Sequence, residues 1–336
     1  MVSEPTSGPI SGPISGPTSR TTGDAGYVRP APDREAVVPI AHWPGEMLDL
    51  GEREVFVRAT PRGGDQTAVY VHGLGGSATN WTDLMDRLQD VAEGYAIDLP
   101  GNGFSPAPAD TDYSIAAHAD AVIGLIERVS DRPVHLFGNS LGGAVTVRVA
   151  ATRPDLVRSL VLVSPALPDL LPRYGPARVA LSTLPGIGLW AIDRMRMIPA
   201  ERRLSATFEM CYADATKIHP ERFREAVEEL RRRDGLPYAG AALVGCARAI
   251  VAEYFRRGEE NLWRLAAKVS APTLVIHGRH DRIVRPRMAA RAGRTFQQVR
   301  LVLLPRAGHV AQMEYPEAVA REARRLIAEA VMLSRG

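Results

Sequence analysis

The sequence has little cysteine, little excess charge and few aromatic residues, and the first two shortages exclude classes of protein. The 336-residue chain contains only two cysteines, Cys211 and Cys246, and no CxxC pair. It therefore indicates neither a disulfide framework nor a structural zinc site, and we expect ordinary buried thiols. The net charge is only +3, from 41 basic and 38 acidic residues. Such a small excess does not indicate a nucleic-acid partner.

The sequence also lacks the usual signals for export and membrane insertion. Its N-terminus has neither the charged start nor the continuous apolar stretch of a signal peptide. No run approaches the roughly 18 apolar residues of a membrane helix. We therefore expect a cytoplasmic location and no stable membrane insertion. No periodic apolar stripe is strong enough to indicate an oligomeric state.

The first 36 residues are dominated by serine, glycine and proline. Ser-Gly-Pro-Ile occurs at residues 7–10 and 11–14, and Ser-Gly-Pro-Thr follows at 15–18. This composition does not bury enough apolar surface to offset the entropy lost on ordering. The sequence therefore predicts a disordered tail over residues 1–36.

From about residue 47, short apolar runs alternate with amphipathic helical segments, which is typical of a mostly parallel sheet covered on both faces. The clearest predicted strands are residues 67–72, 92–98, 134–137, 160–163, 273–277 and 300–304. Between the fourth and fifth of these, residues 166–270 have an almost wholly helical pattern. We therefore predict an α/β core over residues 37–165 and 271–336, with a helical cap inserted at 166–270.

One predicted cap helix, Pro220 to Asp234, begins with proline, carries apolar residues on one face and stops at Gly235. Near its end stands the run Arg231-Arg232-Arg233. We expect this run to be a solvated helix end paired with Glu228 and Glu229, with no role in chemistry.

The candidate nucleophile lies in Gly138-Asn139-Ser140-Leu141-Gly142, which matches GxSxG. An apolar strand precedes the motif and a helical stretch follows it, which is the setting that the motif requires. A serine in such a tight turn projects its hydroxyl above the sheet. It also lies at a helix N-terminus, which favours developing negative charge. We therefore predict that Ser140 is a nucleophile.

A second glycine-rich loop, His72-Gly73-Leu74-Gly75-Gly76, follows the predicted strand at residues 67–72. Ligands bind at this edge of open α/β sheets. We predict that the backbone N–H groups of Leu74 and Leu141 form an oxyanion hole. The loop lacks GxxxxGK[ST] and GxGxxG, so it does not indicate a nucleotide site. We expect His72 to fix the loop by hydrogen bonding and not to act as a base.

A serine nucleophile needs an imidazole to accept its proton and a carboxylate to orient that imidazole. His277-Gly278-Arg279-His280-Asp281 begins at the end of one apolar strand, and Gly308-His309 follows another. We predict His309 as the base and Asp281 as the acid, with Asp169 as the alternative acid. A metal site at His277, His280 and Asp281 is less favoured, because the spacing lacks the tighter histidine cluster of zinc hydrolases.

Taken together, these motifs resemble the α/β-hydrolase superfamily, and specifically its capped serine hydrolases, over about residues 47–333. The matching segments are the oxyanion loop at residues 72–76, a DxPGxGxS loop at 98–105, the nucleophile elbow at 138–142, and residues 278–281, 308–309 and 314–317. The chain order Ser140, Asp281, His309 is the order of this superfamily. The resemblance implies an α/β fold with a mostly parallel sheet of the eight-stranded type, helices on both faces and an inserted helical cap.

The resemblance also implies an activity. A serine at position 140 argues against epoxide hydrolases and haloalkane dehalogenases, which use an aspartate nucleophile in this fold. We expect hydrolysis of a small-molecule acyl substrate, favouring an ester of a lipophilic acid, with no cofactor. The alternatives are a carbon–carbon bond hydrolase of ring-cleavage products, a cofactor-free haloperoxidase-like member or acyltransferase, and a non-catalytic binding protein. Val310-Ala311-Gln312 lacks the tryptophan that carbon–carbon hydrolases commonly carry after the histidine, which counts against the first alternative.

Overall fold

The computed structural model describes residues 27–28, 39–61, 63–169 and 187–334. Of the predicted tail, it describes only Tyr27–Val28, which form a two-residue strand that pairs with residues 301–302. The rest of the predicted tail lies outside the described residues. Disorder over that part of the chain therefore stays a prediction.

A single sheet organises the described residues. Its strands are β1 (Tyr27–Val28), β2 (Gly45–Asp49), β3 (Glu54–Ala59), β4 (Gln66–Val71), β5 (Ala92–Ile97), β6 (Val134–Asn139), β7 (Val157–Val163), β8 (Thr273–Gly278) and β9 (Val299–Leu304). Their order is β1-β9-β8-β7-β6-β4-β5-β3-β2. Only the pairings of β2 with β3 and of β3 with β5 are antiparallel. The mostly parallel sheet and all six predicted strands are thus confirmed, with an antiparallel edge and β1 added.

Helices cover both faces of this sheet. They are α1 (Thr82–Asp86), α2 (Ile115–Val129), α3 (Leu141–Thr152), α4 (Ile187–Arg196), α5 (Ala200–Cys211), α6 (Pro220–Asp234), α7 (Ala239–Phe255), α8 (Leu262–Lys268), α9 (Arg287–Thr295), α10 (Ala311–Glu314) and α11 (Pro316–Leu333). Helices α4 to α8 lie between β7 and β8, within the segment predicted as a cap. The boundaries of that domain stay a prediction.

Two apolar clusters, one on each face of the sheet, bury the central strands. Val69, Val71 and Leu136 pack with residues of α2 and α3, whereas Tyr70 and Phe137 pack with residues of α1 and α11. This division follows from the strand, in which successive side chains point to opposite faces. Because both faces are covered, these strands are continuous apolar runs. Because β4, β6, β7, β8 and β9 pair in parallel, their carboxyl ends lie along one edge of the sheet.

Helix α4, the first described helix between β7 and β8, differs from the core in exposure. In α4, Leu189 and Trp190 are exposed, and they therefore do not belong to a packed core. Within the described ranges, each helix taken alone is too short or too polar to cross a membrane. By length and composition alone, α6 and α7 pass that test as a pair bent by 104°.

Candidate active site

Ser140 occupies a strained turn between β6 and α3. Its φ is 53° and its ψ is −116°, a region that residues other than glycine rarely adopt. Gly142 permits this turn, because a Cβ there would lie 2.1 Å from the carbonyl oxygen of Val71. The Ser140 N–H donates to the carbonyl of Val163 on the neighbouring strand β7, at 3.1 Å. The turn thus holds Ser140 at the carboxyl edge of the sheet.

The glycine-rich loop after β4 lies against this turn. The Gly76 N–H donates to the Gly73 carbonyl at 3.0 Å, and Gly75 has a φ of +68°. A positive φ at the third residue is typical of a type II turn and favours glycine there. A Cβ on Gly73 would lie 3.1 Å from the Cβ of Ser140, so the two loops are in close contact. The turn does not use the Leu74 N–H for its own hydrogen bond.

Asp281 and His309, which the sequence predicts as partners, are joined directly. His309 Nδ1 donates to Asp281 Oδ2 at 3.0 Å, and both side chains are buried. The other carboxylate oxygen accepts N–H bonds from Ile283 and Val284 at 2.8 and 2.9 Å. Burial alone raises the pKa of Asp281, but the charge and hydrogen bond of His309 outweigh it and hold the pKa at about 2. Donation from Nδ1 leaves Nε2 available to accept a proton.

Asn139 connects the serine and histidine loops, a role that the sequence analysis missed. Its Nδ2 donates to the carbonyl of Val163 at 3.0 Å and to that of His309 at 3.2 Å. One buried amide therefore fixes the loop after β9 beside the nucleophile turn. An amide at the end of an otherwise apolar strand, directly before the candidate nucleophile, was the available signal.

The other candidate groups do not converge on Ser140. His72 donates from Nδ1 to Gly73 at 2.7 Å and accepts the Leu99 N–H at Nε2 at 3.0 Å, so it fixes the loop as expected. Burial lowers the pKa of His72 to about 4 and keeps it neutral. Asp169, the alternative acid, binds Arg287 at 2.7 Å.

The metal alternative also lacks a converging set of ligands. His277 is fully buried, whereas His280 is exposed. In the part of the chain that the structure describes, no three histidine, cysteine, aspartate or glutamate side chains are grouped so that they could hold a metal ion.

The arginine run at the end of α6 contradicts the expectation of a solvated helix end. Arg232 Nη2 donates to the carbonyl of Gly103, and Arg233 Nη1 donates to that of Gly75 at 2.6 Å. Only Arg231 is exposed, and it pairs with a glutamate of α5. The expectation was wrong because the two acceptor carbonyls lie 129 and 158 residues away in the sequence.

The loop at residues 98–105 is held from within by Asp98. Its carboxylate accepts the N–H of Ala78 at 2.6 Å and that of Phe104 at 2.8 Å. Burial raises the pKa of Asp98 to about 7, against the effect of these two bonds. Asp98 thereby joins the segment after the turn at residues 73–76 to the loop that Arg232 contacts.

Comparisons with known proteins agree with this architecture. The chain is 30% identical over 255 residues to the pimeloyl-[acyl-carrier protein] methyl ester esterase of Neisseria meningitidis serogroup B, serotype 15, covering 74% of this chain and 88% of that one. It is 27% identical over 277 residues to the 2-hydroxy-6-oxononadienedioate/2-hydroxy-6-oxononatrienedioate hydrolase of Cupriavidus pinatubonensis, covering 81% and 90%. A solved structure of a meta-cleavage product hydrolase from Pseudomonas fluorescens aligns with a TM-score of 0.68 at 21% identity, covering 85% of this chain and 98% of that one. The family model for the alpha/beta hydrolase fold matches residues 69–316, and the chain therefore belongs to the α/β-hydrolase family.

Proposed function

We propose that the protein is a serine hydrolase that cleaves a carboxylic ester, or a related acyl bond, of a small to medium lipophilic substrate. The observation that carries the proposal is the 3.0 Å bond from His309 to Asp281, at the same sheet edge as the strained Ser140. Similarity to a methyl ester esterase supports the ester class.

In the proposed reaction, Ser140 Oγ attacks the substrate carbonyl while His309 Nε2 accepts its proton. Asp281 stabilises the imidazolium, and the N–H groups of Leu74 and Leu141 stabilise the oxyanion. Each donor contributes about 3 kcal/mol to the transition state. His309 then protonates the departing alcohol. A water molecule, deprotonated by His309, then attacks the acyl-serine. The resulting tetrahedral intermediate collapses, which releases the acid, and His309 returns the proton to Ser140 Oγ.

We further propose that the helices between β7 and β8 form a cap at residues 166–270 that seats over this site. The His309 N–H donates to the carbonyl of Cys211, at the end of α5, at 2.6 Å. Helix α6 contacts Gly75 and Gly103 as described above. The cap thus contacts both the histidine loop and the oxyanion loop. A cytoplasmic location, a small-molecule acyl substrate and the lack of a nucleic-acid partner stay predictions.

Carbon–carbon bond hydrolysis is the second candidate. It is favoured by similarity in sequence to a 2-hydroxy-6-oxononadienedioate hydrolase and in fold to a meta-cleavage product hydrolase. The same Ser140, Asp281 and His309 would serve that reaction. The sequence Val310-Ala311-Gln312 after the histidine counts against it.

The test assays the purified protein on p-nitrophenyl esters of increasing acyl length, beside Ser140→Ala. We expect turnover to peak at one length and to fall by at least about 10³-fold in the variant. Ser164→Ala is the matched control, because Ser164 is also a buried serine with positive φ, 46°, at the end of the adjacent strand. It should keep its activity within a few-fold.

Labelling of Ser140 by a fluorophosphonate separates the candidates. Labelling without ester turnover, together with cleavage of a 2-hydroxy-6-oxo-dienoate, would favour carbon–carbon hydrolysis. If the protein shows no ester turnover and Ser140 is not labelled, the result would contradict a serine hydrolase of any kind.

A further inference from the structure

Two side chains one turn apart on α6 contact residues 75–79, which include the end of the turn at residues 73–76. Arg233 Nη1 donates to the Gly75 carbonyl at 2.6 Å. Glu229 Oε2 accepts hydrogen bonds from the hydroxyls of Ser77 and Thr79 at 3.1 and 3.3 Å. Residues four apart lie on the same face of a helix, so both point at this loop from one side. Helix α6 is therefore fixed against residues 75–79 by a cation and an anion.

The Arg233 bond is the first in a chain of peptide hydrogen bonds. The Gly75 carbonyl shares its peptide group with the Gly76 N–H, which donates to the Gly73 carbonyl at 3.0 Å. The Gly73 carbonyl in turn shares its peptide group with the Leu74 N–H. Two peptide groups thus connect the guanidinium to the proposed oxyanion donor. Successive hydrogen bonds polarise one another, so a cation at one end strengthens the donor at the other.

The bond from His72 fixes the Gly73 carbonyl, but it does not fix the peptide group between Gly75 and Gly76. Gly75 has a φ of +68°, and a glycine adopts several backbone conformations at little energetic cost. Rotation of the peptide between Gly75 and Gly76 would break the bond to Gly73. A guanidinium bound to the carbonyl opposes that rotation, and charge-assisted hydrogen bonds are about twice as strong as neutral ones.

Arg233 is well suited to this position. Burial lowers the pKa of its guanidinium, while Glu229 and Asp234 act in the opposite direction. An arginine remains charged in proteins nonetheless. Its partial burial reduces solvent screening of its interaction with the turn.

We propose that Arg233 is a positioning residue for the oxyanion hole: from α6 it holds the turn at residues 73–76 so that the Leu74 N–H faces the reacting carbonyl. The oxyanion hole is therefore complete only when α6 is seated on the core. This inference rests on the proposed serine hydrolase function.

The experiment compares Arg233→Met with Arg231→Met, a matched control two residues earlier on the same helix. Arg231 is exposed and pairs with Glu201, away from the loop. The first readout is the second-order rate at which a fluorophosphonate labels Ser140, since the phosphoryl oxygen needs the same oxyanion donors as an ester. The second is kcat and KM on the best p-nitrophenyl ester, and the third is the thermal unfolding midpoint.

For Arg233→Met we expect the labelling rate and kcat to fall at least about tenfold, with KM within about twofold of wild type. Arg231→Met should match wild type in both rates. Arg233→Lys retains a charged donor and should recover part of the loss. If Arg233→Met does not fold, the lysine variant is compared with wild type in its place.

Labelling of folded Arg233→Met at the wild-type rate would overturn the inference. A rise in KM with unchanged kcat would also overturn it, since that result assigns Arg233 to substrate binding. If the wild-type protein is not labelled at all, the failure lies with the proposed function. A labelled wild type beside an equally labelled variant rejects this inference alone.

Discussion

The sheet-edge loops and α6 hold the candidate site in different ways. At the edge, Asp281 accepts hydrogen bonds from backbone N–H groups nearby in sequence, those of Ile283 and Val284, two and three residues on. Helix α6 instead contacts Gly75 across 158 residues. A loop that carries its own hydrogen bonds is ordered by its own sequence. The turn at residues 73–76 has a hydrogen bond of its own, but its bond to Arg233 forms only once α6 lies against it, so its geometry also depends on the position of the helix.

The largest effect that separates the two regions is expected at Asp281. Asp281→Asn removes the carboxylate that fixes the His309 tautomer, so kcat should fall by about 10³- to 10⁴-fold. Asp169→Asn is the control, because Asp169, the alternative acid, pairs with Arg287. The measurement is kcat on the best ester for both variants. A loss confined to Asp169→Asn would move the acid to the end of β7 and reject Asp281.

A comparison of Asp281 with Arg233 shows what the sequence predicts and what it does not. The position of Asp281 after β8 was predictable because the strand, the turn and the acid are neighbours in the chain, and the same holds for the position of Ser140 after β6. The contact of Arg233 was not predictable, since a basic run at a helix end is usually solvated and its acceptor is a backbone carbonyl without any sequence signature. A tertiary contact of this kind can be identified only from the position of the helix in the folded structure.

A smaller effect, on stability, is expected at Asp98. The Asp98 carboxylate accepts hydrogen bonds from two backbone N–H groups. Asp98→Asn places an amide NH₂ against one of these N–H groups and leaves that buried donor unpaired. The free energy of unfolding should fall by about 2 kcal/mol. Asp83→Asn is the matched variant on the α6 side, since Asp83 binds Arg222 of α6 at 2.6 Å.

A carboxylate paired with a partly exposed arginine contributes about 0.5 to 1 kcal/mol. Urea unfolding of both variants measures the difference. If Asp83→Asn costs as much as Asp98→Asn, the contacts of α6 stabilise the fold as strongly as the local bonds of the loops.

Glu314 belongs to both regions. One of its oxygens accepts the Gly308 N–H beside His309 at 2.6 Å, and the other accepts the Ala213 N–H after α5 at 2.8 Å. Burial raises the pKa of Glu314 to about 7, assisted by the charge of Asp281 and opposed by these two bonds. Protonation of Glu314 therefore affects the contact between the histidine loop and the helical segment, and the stability of the protein should depend on pH for this reason.

The sign of that response follows from linkage. Between pH 4.5, where the unfolded carboxyl loses its proton, and about pH 7, the folded protein retains the proton, so its stability falls as pH rises. Glu314→Gln removes this dependence. From pH 5 to pH 8, urea unfolding should show wild type losing on the order of 1 kcal/mol relative to the variant, a figure reduced for partial solvent exposure. A gain by wild type over the same range would mean that the two N–H bonds outweigh burial, so that the charged carboxylate stabilises the contact between the loop and the helical segment.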